Sequence, residues 1–120
     1  EFTVTIINNK CLPAIEIVTD NDFYDYDAKY ISNETDLVET KLSDAALNEI
    51  NQISLNAYNA LGCSGCARVD LLQDRDGVFY VIEINTVPGM TSHSCVPKSG
   101  SFIGLSYKDI VKKIIDASVY

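Results

Sequence analysis

A chain of 120 residues, 47% hydrophobic and 22% charged, has the composition of one folded domain. That excludes disorder and is too short for a multidomain enzyme. No apolar run approaches the roughly 20 residues of a membrane helix, no charged-then-apolar leader opens the chain, and a net charge of −8 argues against nucleic acid as a partner.

Phe2, Val4 and Ile6 alternate with Thr3 and Thr5, which predicts a half-buried strand. Asn8-Asn9-Lys10 forms a turn, and Leu12 to Val18 is the return strand, with Pro13 placing its start at an edge or bulge. Asp20 to Asp27 has no clean period and is taken as a loop. Ala28 to Ser32 is a short extended piece, and Asn33 to Leu42 is a second loop. A helix starts behind the cap Ser43, with Asp44 in its first turn. It buries Leu47, Ile50, Ile53, Ala57 and Leu61, and ends at Gly62. A hairpin follows: Ala67 to Gln73, the turn Asp74-Arg75-Asp76-Gly77, then Val78 to Asn85. Pro88 to Gly104 is a long irregular stretch of the kind that carries function. Ser106 caps the last helix with Asp109 as its box partner, Leu105 and Ile110 sit at the staple positions, and Ile110, Val111, Ile114, Ile115 and Val119 form its apolar face.

Met90 is the only methionine and the chain opens at Glu1, so a processed chain or a piece of a larger protein is expected. Ten acids against Lys29 and Lys41 lie between Glu16 and Glu49. Such a face is ordinarily just solvated, and matters only where carboxylates converge on a cation. The cysteines at 11, 63, 66 and 95 are too few and uneven for a disulfide scaffold. Cys63-Ser64-Gly65-Cys66 follows a helix, whereas a redox pair would open one, and a zinc module would need His93 and Cys95 as its second pair. Structural, reduced thiols are the favoured reading, and they suggest the cytoplasm.

On the second hairpin, Arg68 and Asp70 share a face, as do Glu83 and Asn85. An even-numbered loop puts all four on one side, and an odd loop separates them. With the two-residue loop Asp76-Gly77, Asp70 stands opposite Glu83. Two carboxylates so placed need a cation or a shifted pKa. The donors are all oxygens, which favours Mg²⁺ over zinc. The plainer alternative is an Arg68–Glu83 ion pair with Asn85 capping a turn. Beyond Asn85, Gly89 permits close backbone approach to a ligand, and Thr91, Ser92 and Ser94 offer hydroxyls for a carboxylate. His93, the only histidine, has no partner at motif spacing, so a structural or orienting role is expected of it.

In order, Glu1-Phe2-Thr3-Val4, Tyr24-Asp25-Tyr26-Asp27-Ala28-Lys29-Tyr30, Gly62-Cys63-Ser64-Gly65, Arg68-Val69-Asp70, Glu83-Ile84-Asn85-Thr86, Pro88-Gly89-Met90-Thr91-Ser92-His93-Ser94 and Gly104-Leu105-Ser106-Tyr107 resemble the C-terminal part of the D-alanine–D-alanine ligases. These are ATP-grasp enzymes. The resemblance spans essentially the whole chain. It implies an α+β fold, the C-terminal half of an ATP-grasp fold, in which an antiparallel sheet of hairpins is packed by two amphipathic helices. Residues 1–120 would be that C-terminal domain, and the N-terminal and central domains lie outside this chain.

The resemblance also implies roles. Glu1 would hold the ATP ribose, Phe23 and Ile82 would touch adenine, and Lys29 a phosphate. Tyr30 would belong to the hydrogen-bonded set that closes a loop over the site. Asp70, Glu83 and Asn85 would bind two Mg²⁺ or Mn²⁺, with Glu83 bridging. Arg68 and the Gly89 N–H would stabilise an oxyanion. Ser94 would bind the second D-alanine's carboxylate. Cys95 stands where the family usually has Leu, and its backbone N–H would assist. The implied parent is a cytoplasmic, homodimeric ligase serving peptidoglycan synthesis, cell wall biogenesis and cell shape. This chain alone would be inactive. Alternatives are a D-alanine–D-lactate or D-alanine–D-serine ligase, or a non-catalytic binding module.

Overall fold

The computed structural model describes residues 1–18, 36–91 and 94–118. Among the described residues the chain forms a six-stranded antiparallel sheet. Its strands are β1 (Phe2–Ile7), β2 (Lys10–Cys11), β3 (Ile15–Val18), β4 (Asp36–Glu39), β5 (Cys66–Gln73) and β6 (Phe79–Asn85). The order is β4-β3-β1-β5-β6, with β2 also on β1. Helices α1 (Asp44–Ala60), α2 (Cys95–Ser101) and α3 (Tyr107–Ala117) pack on it. This is the expected α+β class. The loop Asp20 to Asp27 and the extended piece Ala28 to Ser32 fall outside the described residues.

Asn8 and Asn9 both take positive φ, 52° and 65°. That is the two-residue hairpin geometry asparagine tolerates, and it fixes the Ile7–Lys10 pairing. The expectation of a half-buried β1 is corrected: all six of its residues are buried. The strand is central, so its threonines face protein rather than water.

The even face of β1 carries Phe2, Val4 and Ile6, which join Val69, Leu71 and Phe79 in a core under Ile50 and Tyr58 of α1. The buried stripe of α1 is Ile50, Ser54 and Tyr58, with Leu47 and Ile53 partly buried against the same core. Leu61 was expected in that stripe but is 70% exposed, because it is the cap residue, past the last packed turn. Ser43 and Gly62 end the helix as expected, Gly62 at φ 67°.

The odd face of the sheet carries two smaller apolar clusters. Ile7, Leu12, Val96 and Ile110 form one, and Ile15, Ile17 and Cys95 the other. Helices α2 and α3 supply their upper halves. Helix α3 has its full capping box, although Ile115 is exposed rather than buried and Val119 is outside the described residues.

Two expectations about irregular segments are overturned. Asn33 to Leu42 contains β4, a short edge strand formed by pairing with β3 from Ile15–Glu39 to Val18–Asp36. Pro88 to Gly104 contains α2, which buries Cys95, Val96, Pro97, Ser99 and Gly100. Pro97 is tolerated because it lies in the first turn, where backbone N–H groups have no intrahelical partner.

Candidate active site on the second hairpin

The site depends on the register between β5 and β6. Near the turn, Gln73 pairs with Phe79, Leu72 with Tyr80 and Leu71 with Val81. The loop is therefore Asp74 to Val78, one residue longer than the expected Asp74-Arg75-Asp76-Gly77 turn and of odd length, unlike the even loop, such as Asp76-Gly77, that would by itself gather the four residues. Asp74 organises it: its carboxylate accepts the N–H groups of Asp76 and Val78, each at 2.9 Å, and the Tyr80 hydroxyl at 3.1 Å. The donation from Val78, with the smaller help of Tyr80 and Asp76, holds its pKa below the ordinary value.

By itself that loop would put Ile82 opposite Asp70 and turn Glu83 toward the α1 core. A register shift between Asp70 and Leu71 prevents this. Ile82 is the extra residue, a β-bulge. Beyond it Asp70 pairs with Glu83, Val69 with Ile84 and Arg68 with Asn85. Arg68, Asp70, Glu83 and Asn85 thus share one face, as expected, but through a bulge rather than an even loop. Across β5 the same face continues onto β1, where Thr3 pairs with Asp70 and Thr5 with Arg68.

Asp70 is 1% exposed and well supplied with donors. Thr3 Oγ1 donates to Oδ1 at 2.7 Å. Arg68 Nε donates to Oδ1 at 3.0 Å, and Nη2 to Oδ2 at 3.1 Å. Burial pushes the Asp70 pKa up. The Arg68 guanidinium and the Thr3 hydroxyl oppose that shift, and the neighbouring Glu83 carboxyl adds to it. A cation beside the paired carboxylates was expected, and Arg68 supplies it. Asn85 Oδ1 accepts the Val87 N–H at 2.9 Å, which shapes the entry to the following loop and leaves a second lone pair on that oxygen. Asp70, Glu83 and Asn85 offer oxygen donors only, a set suited to Mg²⁺ or Mn²⁺.

The loop after Asn85 folds back on itself. Ser94 Oγ accepts the Thr91 N–H at 3.1 Å and lies 2.8 Å from Thr91 Oγ1. A Cβ on Gly89 would sit 3.1 Å from Ser94 Oγ, so the absence of a side chain there lets the two residues meet. The Tyr107 hydroxyl of α3 donates to the Met90 carbonyl and ties the loop to the helix. Cys95 starts α2 and turns its side chain into the Ile15–Ile17 cluster.

The other candidates are placed as follows. Glu1 is half-buried beside β3, its carbonyl accepting the Ile17 N–H. Ile82 is 47% exposed at the bulge. Phe23, Lys29, Tyr30, Ser92 and His93 lie outside the described residues. Of the zinc alternative's four residues, Cys63, Cys66 and Cys95 pack in three different clusters, and His93 lies outside the described residues. Thr3 and Thr5 were not singled out from the sequence, because threonine alternating with apolar residues reads as the solvent side of a strand.

A family model described as D-ala D-ala ligase C-terminus matches residues 1–116. The chain is 44% identical over 120 residues to a D-alanine–D-alanine ligase of Actinobacillus succinogenes, covering 99% of this chain and 39% of that protein. It is 45% identical over 117 residues to one from a Marinomonas species, covering 95% and 37%. Among solved structures, a D-alanine–D-alanine ligase from Bacillus anthracis complexed with ATP superposes with TM-score 0.81 at 35% identity, covering 97% of this chain and 36% of that one. The VanG D-Ala:D-Ser ligase from Enterococcus faecalis gives 0.78 at 30% identity, covering 96% and 35%. The chain spans 39% or less of each of these relatives. With nearly every residue inside the family match, and the bulged hairpin carrying the oxygen donors, the chain belongs to the family of D-alanine–D-alanine ligase C-terminal domains.

Proposed function

We propose that the intact protein is an ATP-dependent ligase that joins two D-alanines through an acylphosphate for peptidoglycan synthesis, and that residues 1–120 are its C-terminal ATP-grasp domain. The observation that carries this reading is the register that sets Asp70 against Glu83 and Arg68 against Asn85 on one face, in a chain of this family. Asp70, Glu83 and Asn85 would hold two Mg²⁺ or Mn²⁺, which neutralise phosphate charge during transfer of the γ-phosphoryl group to the first D-alanine.

The chain's own groups do the rest of its share. Glu1 holds the ribose, Ile82 and Phe23 contact adenine, Lys29 contacts phosphate, and Tyr30 closes the loop. When the second D-alanine's amine attacks the acylphosphate, charge grows on the carbonyl oxygen, and Arg68 and the Gly89 N–H donate to it. The Ser94 hydroxyl and Cys95 N–H bind the second carboxylate. The N-terminal and central domains supply the opposite wall of the site. Positioning of two substrates lowers a barrier by roughly 7–11 kcal/mol, and half a clamp forfeits it, so this chain alone does not turn over. The parent would be a cytoplasmic homodimer.

The similarity to a D-Ala:D-Ser ligase keeps D-serine as the second reading for the attacking substrate, with D-lactate as the related alternative. The test is the intact protein with ATP, Mg²⁺ and D-alanine carrying ¹⁸O in its carboxylate, with D-serine and D-lactate in competition. Label in the released phosphate and D-alanyl-D-alanine as the main product are expected. Unlabelled phosphate would reject the acylphosphate, and a mixed product would move the specificity.

A further inference from the structure

The ion pair at the centre of the site uses the same carboxylate that the ligase reading gives to a metal. Resting on that reading, we infer that Arg68 is an exchangeable counter-ion: it occupies the cation's place on Asp70 in the metal-free protein, and a divalent cation displaces it and frees the guanidinium to serve the oxyanion.

Thr3, Arg68 and the Glu83 carboxyl all bear on Asp70, and the first two differ in kind. Thr3 donates from the buried strand β1 to Oδ1 and is itself 1% exposed, so it is a fixed neighbour. Arg68 takes both oxygens, with Nε on Oδ1 and Nη2 on Oδ2. Its side chain is 12% exposed against 2% for that of Asp70, so the guanidinium is the more accessible of the two groups. A metal ion on Asp70 would stand within a few ångströms of the guanidinium, and two cations at that spacing in a partly buried site repel strongly. Arginine cannot relieve the clash by losing its proton. It relieves it by moving. The Thr5 hydroxyl, paired across the strands with Arg68, is buried without a hydrogen-bond partner and offers an acceptor to the displaced side chain.

The exchange couples two functions in one residue. Without metal, Arg68 holds both oxygens of the Asp70 carboxylate. With metal, it is released when the oxyanion donor is needed. Oδ2 keeps a lone pair while it accepts Arg68 Nη2, so it is the charge of the two cations at that spacing, not a shortage of acceptors, that drives the exchange.

The experiment uses the intact protein with ¹⁵N-labelled arginine. Mg²⁺ is titrated without nucleotide while the Arg68 Nε–H resonance, identified by its loss in Arg68→Lys, is followed. The resonance should shift saturably and lose protection from solvent exchange. In parallel, Mn²⁺ binding is measured from the free-ion paramagnetic signal. Removing the competitor by Arg68→Met should tighten it roughly tenfold, the size of one charged hydrogen-bonded pair. An Nε–H resonance unmoved by Mg²⁺, or Mn²⁺ binding that is unchanged or weaker in Arg68→Met, would overturn the exchange. The wild-type resonance decides the matter even if the variant folds poorly. A fixed resonance in a protein that still makes dipeptide rejects the exchange alone and leaves the ligase reading standing.

Discussion

Thr3 and Asp70 form a buried hydrogen bond between adjacent strands, 2.7 Å long. A carboxylate at that depth is costly unless donors satisfy it. Thr3→Val keeps the shape and removes the donor, so it should lower the stability of the metal-free protein by about 1.5–3 kcal/mol in urea denaturation. Thr3→Ser should recover most of that loss. Burial also pushes the thiols of Cys11 and Cys66 up to about 11. At pH 8 only about one part in a thousand of each is thiolate, the reactive form. Both should therefore alkylate slowly at pH 8, and faster as pH rises toward 11, as followed by peptide mass spectrometry. Fast labelling of either at pH 8 would mean that it is not packed as described. The charged residues of the site were legible from period-two spacing, because Arg68, Asp70, Glu83 and Asn85 are unusual on a hairpin. Thr3 and Thr5 were not: their role depends on β1 being central, and strand order is a non-local fact.

The bulge at Ile82 is the element on which the site turns. It corrects the parity set by a five-residue loop, so that Glu83 faces Asp70 and Ile84 faces the core. Deleting Ile82 would leave a regular ladder with Asp70 still opposite Glu83. Mn²⁺ binding by the intact protein should therefore survive the deletion, while nucleotide affinity should fall if Ile82 makes the adenine contact proposed for it. Loss of the metal site with nucleotide binding intact would contradict that register. Helices α2 and α3 meet at Gly100, where a Cβ would lie 2.3 Å from Ile110 Cδ1 and 2.6 Å from Cγ1. Ile110 is fully buried, so Gly100→Ala should destabilise by about 1–3 kcal/mol through overpacking. Ser106 accepts from Asp109 N–H while Asp109 accepts from Ser106 N–H, and Ser106→Ala should cost about 1 kcal/mol. The two Ser106 donors hold the Asp109 pKa below its ordinary 3.8. A depressed carboxyl contributes stability above its unfolded pKa and loses it as pH falls through the folded one. The Ser106→Ala deficit should therefore shrink in strong acid. Caps and amphipathic helices were readable because their signals are local. Strand β4 and helix α2 were not, since a short edge strand and a helix containing Pro97 and Gly100 exist through what they pack against.

At the scale of the molecule, the proposed role of the chain is to form one wall of an active site. Long motifs in fixed order gave the family, and the match to residues 1–116 agrees with it. Sequence spacing could not reveal how Arg68 sits when no metal is present, because that depends on three strands meeting. The chain spans 39% of a relative such as the Actinobacillus succinogenes ligase, and the opposite wall is proposed to lie in the remainder. The most direct measurement is dipeptide formation by the intact protein with ATP, Mg²⁺ and D-alanine, beside Glu83→Gln and beside residues 1–120 alone. The wild type should release one phosphate for each D-alanyl-D-alanine. Glu83→Gln should fall by roughly 100-fold or more, since even the outer partners of metal ligands are worth roughly 10–100-fold. Residues 1–120 alone should give none. Sustained dipeptide from Glu83→Gln at the wild-type rate, or from residues 1–120 alone, would show that the site has been misplaced.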